Sequence, residues 1–138
     1  MADYREHYGE IRATGASVAA ISVDPPEKSD AVRQELRLPF PILCDTERRV
    51  VQQWDIYNAR EKGGIAKPAI FIIDRDRSVR YHSIDTKSVR VPASEIVRIL
   101  QTKEEAWPAR RKLYFPRLAD FIRAIRNATR FGVRSPRA

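Results

Sequence analysis

Cys44 carries the one thiol in the 138-residue sequence. A single cysteine excludes an intramolecular disulfide, a CxxC redox pair and a multi-cysteine zinc site within this chain. The two histidines, His7 and His82, have no partner at metal-ligand spacing, so we expect ordinary surface residues there. The sequence therefore predicts no metal site and no cofactor, and Cys44 is the one sulfur nucleophile available.

The segment around Cys44, LPFPILCD, predicts a short strand over residues 40–44 that ends at the thiol. The carboxyl ends of parallel strands form the rim where α/β sheets usually place their sites. Asp45 opposes a thiolate by like charge, whereas Arg48 and Arg49, on a following helix, favour it. The residues alone leave two interpretations open, a semi-buried structural thiol and a reactive one.

The first half of the chain predicts helices and strands in alternation. Apolar residues at helical spacing predict a helix over residues 2–14, and Gly15 is expected to end it. The small apolar run ASVAAISV (16–23) predicts a strand buried on both faces. Asp24 is then expected to cap a second helix, which runs to about Leu36.

The second half predicts a helix capped by Asp45 or Thr46, an exposed and mobile loop, a hairpin and a last helix. The two hairpin strands are recognised by an apolar run followed by alternation. The ranges, in that order, are 45–54, 58–67, 69–74 with 79–84, and 92–102. Together the elements predict a mixed α/β sheet flanked by helices.

Three separated segments occur in the order and at the distances typical of one protein family. They are AISVDPPEKS, PFPILCD and GIAKPAIFIIDRD. On these segments, residues 3–102 resemble the peroxiredoxin-like redoxins of the alkyl hydroperoxide reductase and thiol-specific antioxidant (AhpC/TSA) family. The resemblance implies a thioredoxin-like fold, a peroxide-reducing antioxidant oxidoreductase, and a reductant of the thioredoxin or glutathione type.

In that family the reactive cysteine lies just before the helix that residues 2–14 resemble, at the end of a strand in the middle of the sheet. Its thiolate attacks a peroxide oxygen and becomes a sulfenic acid. This chain has no cysteine where that helix begins. We therefore expect a truncated redoxin that lacks the N-terminal strand with the reactive cysteine and is inactive as this chain alone.

Two further candidate residues follow from the resemblance. Lys67 falls where the family generally places an arginine beside the reactive thiol, so it would stabilise a thiolate or polarise a peroxide; without the thiol it is a solvated lysine. Pro68 matches the position where thioredoxin-like folds hold a cis-proline, and the sequence does not settle its isomer. Cys44, Lys67 and Pro68 are the candidate catalytic residues.

The absent strand would lie between residues 16–23 and 69–74, so both of these strands would have an open edge. The two strands would pair directly, or a partner chain or second copy would complete the sheet, or the chain is part of a longer gene product. Of these alternatives, the sequence favours the last.

The net charge of +8 belongs to the end of the chain. Residues 106–138 contain eight arginines, one lysine and one aspartate, and residues 1–105 are formally neutral. We therefore expect a redoxin domain over residues 1–105 and a basic helical tail over residues 106–138. Pro116 and Gly132 bound the predicted helix.

One side of that predicted tail helix is apolar and another is basic. The apolar stripe is Leu118, Phe121, Ile122, Ile125 and Thr129, and the basic face is Arg123, Arg126 and Arg130. The helix would pack on the body, bind an anionic membrane surface or protein partner, or contact nucleic acid. Its aliphatic and aromatic spacing favours packing.

The function classes that remain are a redoxin scaffold and a non-catalytic binding or assembly module that uses the basic tail. The N-terminal residues lack the apolar core of a secretory signal, and no apolar run approaches the length of a membrane span. We therefore expect a cytoplasmic protein with no transmembrane segment.

Overall fold

The structure is a computed structural model that describes residues 1–61, 63–86, 89–102 and 112–113. Its helices are α1 (Ala2–Glu6), α2 (Tyr8–Ala13), α3 (Pro26–Glu35), α4 (Arg49–Gln53) and α5 (Ala93–Gln101). Its strands are β1 (Ala20–Ser22), β2 (Ile42–Cys44), β3 (Tyr57–Asn58), β4 (Ile65–Ala66), β5 (Ala69–Ile73), β6 (Val79–Ile84), β7 (Val89–Arg90) and β8 (Lys112–Leu113).

The strands are joined in pairs. β1 and β2 are parallel, with Ala20 opposite Ile42 and Ser22 opposite Cys44. β5 and β6 form an antiparallel hairpin with an irregularity between Ile72 and Ile73, and β3–β4 and β7–β8 are short antiparallel pairs. Within the described ranges β1 and β5 do not pair with each other. The alternative in which these two strands pair directly is therefore wrong.

Two hydrophobic clusters form the core, and Tyr4 packs against both. The first cluster joins β5 and β6 to α5, and the second joins the end of α3 and the following loop to β1 and β2. Their buried members are Ile72, Tyr81, Val91, Ile96 and Ile99 in the first, and Leu36, Leu38 and Phe40 in the second. The N-terminal helices therefore hold the two strand pairs together.

Several sequence predictions are confirmed. The hairpin and the last helix lie within a residue or two of their predicted bounds. Gly15 lies just after α2 and has φ of +84°. Its amide donates to the carbonyl of Arg12, as expected of a glycine that ends a helix. Asp45 accepts a hydrogen bond from the amide of Val51 in α4 (3.0 Å), but the N-cap of α4 is Arg48, so the predicted cap at Asp45 or Thr46 is wrong.

The predicted first helix is interrupted. His7 has φ of −97° and ψ of 10°, outside the helical region, and separates α1 from α2. Its Nδ1 lies 3.0 Å from the carbonyl oxygen of Asp3, which also accepts the amide of His7. Two groups of one residue thus share a single acceptor at the break.

The strand predicted over residues 16–23 is wrong in length and in burial. Only residues opposite β2 are hydrogen-bonded as a strand, and Ile21 is 46% exposed. The expectation of a strand buried on both faces fails because the face that carries Ile21 and the neighbouring Leu43 is left exposed.

Two local predictions are also corrected. Asp24 does not cap α3, whose N-cap is Pro25; its carboxylate accepts from Ser22 Oγ (3.1 Å) and Lys28 Nζ (2.7 Å) instead. The loop predicted over residues 58–67 contains the pair β3–β4, and Gly64 within it is buried with φ of +94°. A Cβ at Gly64 would overlap the Tyr57 ring, so this loop is packed.

The predicted tail helix and most of the proposed tail, residues 106–138, lie outside the described residues; β8 is the part that the structure places. In the described part of the chain, no helix has the length and apolar character needed to cross a bilayer.

Candidate functional site

Contacts from both of its sides fix the position of α1. The guanidinium of Arg5 donates to the carbonyl oxygen of Leu36 at the end of α3 (2.9 Å). Asp3 Oδ2 accepts the amide of Ala93, the first residue of α5, at 2.7 Å. These two bonds place the first turn of α1 between the two hydrophobic clusters.

Pro68 lies on the α5 side of α1. Its carbonyl oxygen accepts the amide of Asp85 (2.7 Å), and two residues further on Ile70 packs against the same hydrophobic cluster as Tyr4 of α1. Burial, with smaller contributions from the charges of Asp3 and Asp85, raises the pKa of Tyr4 well above its ordinary value. The Pro68 segment, Asp85 and Tyr4 therefore share one region.

Asp85 is a buried carboxylate that organises this region. It accepts the hydroxyl of Ser83 (2.5 Å) and the amide of Val91 (3.1 Å), which are both buried groups. The two bonds join the end of β6 to Val91, which lies two residues before the start of α5. Asp85 therefore links Pro68, just before β5, to the segment that leads into α5.

Lys67 lies between β4 and β5 and is bonded to the segment just before β3. Its amide donates to the carbonyl of Ile56 (2.6 Å), and its ammonium donates to the carbonyl of Asp55 at 3.4 Å. Residue 67 is partly buried, and the bond that its ammonium makes is exposed. Lys67 directly precedes Pro68 in the sequence.

Cys44 lies on the other strand pair, opposite Ser22 at the carboxyl end of β2. Its side chain is partly buried, and Sγ is 3.9 Å from the carbonyl oxygen of Ile42. In the described ranges no hydrogen bond joins Cys44 to Lys67. Lys67 and Pro68 directly precede β5, whereas Cys44 ends β2 of the other strand pair.

The two arginines expected to activate Cys44 have other partners. Arg48, with φ of +61°, donates to the carbonyl oxygens of Gly63 and Gly64, each at 3.5 Å, and so holds the β3–β4 loop. Arg49 pairs with Glu47 at 2.6 Å. In the described part of the chain, the bonds of these two arginines thus go to groups other than the thiol of Cys44.

Sequence reasoning missed the polar groups that position α1, namely Asp3, Tyr4 and Asp85. A signal for Asp85 was present: the alternation that turns Tyr81 and Ser83 inward along β6 continues to residue 85 at the same period of two. Asp3 gave no such signal, because its partner Ala93 is 90 residues away in the sequence.

The arrangement of the chain is shared with known proteins. The sequence model of the AhpC/TSA family matches residues 1–82. MT2597, a Mycobacterium tuberculosis protein named as a peroxiredoxin, is 31% identical over 81 residues. These residues are 56% of this chain and 52% of that protein. Peroxiredoxin 2 of Thermoplasma acidophilum is 26% identical over 119 residues, 82% of this chain and 58% of that protein.

Solved structures give the same result. Mycobacterium tuberculosis AhpC matches with a TM-score of 0.64 and 27% identity, over 72% of this chain and 56% of that chain. Enterococcus faecalis AhpC matches with a TM-score of 0.65 and 23% identity, over 72% of this chain and 61% of that chain. The thioredoxin-like α/β fold expected from the sequence is confirmed.

The chain spans about half the length of the curated relatives that it matches. The family match nevertheless covers more than half of the chain, and it includes α1, β1, β2, β5, the first four residues of β6 and the Lys67–Pro68 segment. On the fold, the order of its segments and this match, the protein belongs to the AhpC/TSA family of peroxiredoxin-related redoxins.

Proposed function

We propose that the chain provides the scaffold of a thiol-dependent peroxide-reducing oxidoreductase and that the 138 residues alone do not reduce peroxide. The observation that carries the proposal is the separation of the two halves of the required chemistry. Lys67 and Pro68 belong to the region beside α1, whereas the one thiol of the chain, Cys44, ends β2 in the other strand pair.

The reaction needs a thiolate at the start of α1. Such a thiolate attacks one peroxide oxygen, the O–O bond breaks, and the other oxygen leaves as an alcohol or water once protonated. The resulting sulfenic acid is returned to the thiol by a reductant, which we propose is of the thioredoxin or glutathione type. Lys67 would favour the thiolate, and Pro68 would face the redox centre.

Cys44 does not supply this thiolate in our proposal. Its Sγ contacts a carbonyl oxygen of its own strand, and the neighbouring cations Arg48 and Arg49 are bonded elsewhere. The carboxylate of Asp45 beside it accepts the amide of Val51 in α4. These contacts support a structural role for Cys44.

The two main strand pairs each offer an edge to a further strand. In β1, Ala20 and Ser22 bond toward β2, so the peptide groups of Ile21 point to the opposite edge. In β5, the amide of Asp85 bonds to the carbonyl of Pro68. In this register the backbone N–H and C=O of Phe71 point to the edge away from β6. We propose that an additional strand, from a longer product, a partner chain or a second copy, completes the sheet.

A fusion tests whether the scaffold is competent. A strand that ends in a cysteine, of the kind the family carries, is joined upstream of Met1. Peroxide consumption is then measured with thioredoxin as reductant. We expect turnover that requires the added cysteine and falls on the order of 100-fold in Lys67→Met, because an electrostatic group beside the reacting atoms is lost.

Two controls make the fusion decisive. The same fusion with serine in place of the added cysteine should be inactive, and Lys28→Met, which removes a lysine paired with Asp24, should leave turnover unchanged. A folded fusion with a reduced thiol and no turnover above the serine control would overturn the proposed scaffold function.

A second function is favoured by one observation, the concentration of the whole net charge in residues 106–138. The chain would then be a non-catalytic binding or assembly module whose basic tail contacts an anionic surface in the cytoplasm. Retention of the full chain on heparin, compared with a chain ending at Leu113, tests this function. Equal retention at the same salt concentration would exclude it.

A further inference from the structure

The two strand pairs have an inner face and an outer face. Tyr4 packs against the same cluster as Ile70 of β5 and against the same cluster as Ile42 of β2, so the inner faces of both pairs point toward the core beside α1. The helices α3 and α5 contribute to these same clusters through Val32 and Ile96. The side chains that alternate with these point the other way, to a common outer face.

The outer face is apolar and only partly covered in the described part of the chain. Ile21 and Leu43 stand side by side in the parallel register and are 46% and 52% exposed. Ile84, on the hairpin, is 41% exposed on the same side as Phe71. Trp54, at the end of α4, packs edge-on against Phe71 with ring centroids 4.4 Å apart.

A short helix such as α4 cannot cover the width of two strand pairs. It has five residues and is about 7.5 Å long, whereas neighbouring strands alone are about 4.8 Å apart. Adjacent exposed apolar side chains such as Ile21 and Leu43 usually mark a contact surface. The outer face therefore calls for an additional apolar element.

We propose that residues 117–131 of this chain form an amphipathic helix that covers the outer face. The apolar stripe of this segment, defined above by Leu118, Phe121, Ile122, Ile125 and Thr129, would contact Ile21, Leu43 and Ile84. The arginines at 123, 126 and 130 lie on a different face of the helix and stay in water.

The point at which the chain returns to the body supports this occupant. β8, at Lys112–Leu113, pairs with β7, which begins five residues after Ile84. The predicted helix starts four residues after Leu113, within about 14 Å of extended chain. Its 15 residues span about 22 Å, enough to cross from the hairpin to β1 and β2. A segment tethered there meets the face at high effective concentration.

Cross-linking tests the proposal on the full chain. In a Cys44→Ser background, Leu43→Cys is combined with Ile125→Cys, and the product is treated with a short bismaleimide. We expect an intramolecular cross-link, independent of protein concentration and located by peptide mass spectrometry. The matched control combines Leu43→Cys with Asn127→Cys, on the opposite side of the helix because successive residues turn by about 100°.

The facing pair should cross-link at least about tenfold faster than the control pair. Equal rates, or cross-links formed only between two chains, would overturn the proposal; the latter would identify a second copy as the occupant. Vesicles containing anionic lipid add another arm: tail-dependent vesicle binding without the intramolecular cross-link would show that the apolar stripe serves a membrane surface instead.

A second measurement does not depend on introduced thiols. Ile125→Asp should increase binding of an apolar dye and speed trypsin cleavage after Arg123, each by about threefold or more, while Asn127→Asp should not. Unchanged dye binding and cleavage in Ile125→Asp would contradict the docked helix.

Discussion

Tyr4 is the side chain on which both halves of the core meet. It packs against both hydrophobic clusters, yet its hydroxyl is buried without a hydrogen-bond partner among the described residues. Burying such a group without a partner costs free energy. The ring and the hydroxyl of Tyr4 therefore act in opposite directions on stability.

We accordingly predict opposite effects for two substitutions of Tyr4. Tyr4→Phe should raise the free energy of unfolding by about 1 kcal/mol, since it removes the unpaired hydroxyl. Tyr4→Ala should lower it by about 3 kcal/mol through the cavity between the clusters. Urea unfolding measures both, and a destabilised Tyr4→Phe would show that the hydroxyl has a partner in solution.

Asp76 gives the hairpin a pH dependence. The amide and then the hydroxyl of Ser78 donate to its carboxylate and lower the pKa of Asp76. A carboxyl group with a lowered pKa in the folded state stabilises above its unfolded pKa of about 3.9, and this contribution is lost as the pH falls through the folded value.

The matched variant for this effect is Asp76→Asn, which keeps the acceptor oxygen and removes the titration. The wild type should melt at the higher temperature at pH 7, and the difference should shrink below about pH 4. Thermal unfolding followed by circular dichroism between pH 7 and pH 2.5 measures it. A difference that is constant over this range would contradict the assignment.

At the scale of the elements, α5 is capped by a residue from the other end of the chain. Its own N-cap, Pro92, offers no side-chain acceptor, and Asp3 accepts the amide of Ala93 instead. The bond thus contributes to the stability of α5 and also fixes α1 beside it.

Asp3→Ala should therefore cost about 1 kcal/mol in the free energy of unfolding, as the loss of an N-cap does, and Asp3→Asn should cost less because it keeps an acceptor. Asp30→Ala is the control, since it removes only the exposed pair with Arg33 and should change stability by less than about 0.5 kcal/mol. Equal effects of Asp3→Ala and Asp30→Ala, measured by urea unfolding, would count against the cap.

The elements predicted well from sequence are those whose pattern is set by local contacts. The hairpin is recognisable because Tyr81 and Ser83 alternate with exposed positions, and α5 because Ile96 and Ile99 share one side. β1 was predicted too long because the apolar composition of residues 16–23 is typical of a central strand with a strand on each side. Composition does not reveal which neighbouring strands the described chain supplies. The Asp24 cap failed because Lys28 and Ser22 compete for its carboxylate.

At the scale of the whole molecule, the candidate site follows from the sequence only in part. The order of the segments was enough to indicate the family and to single out Lys67 and Pro68. The placement of Asp85 and Tyr4 beside Pro68 depends on contacts between distant parts of the chain. The division into residues 1–105 and a tail over 106–138 stays a prediction.

The central claim is that this chain holds a redoxin scaffold whose only thiol ends β2 and does not lie at the start of α1. Peroxide consumption by the purified 138-residue chain, with thioredoxin and with glutathione as reductant, tests it most directly. We predict a rate equal to that of Cys44→Ser and of buffer with reductant alone. Turnover that disappears in Cys44→Ser would show that Cys44 is the reactive thiol and would contradict this account.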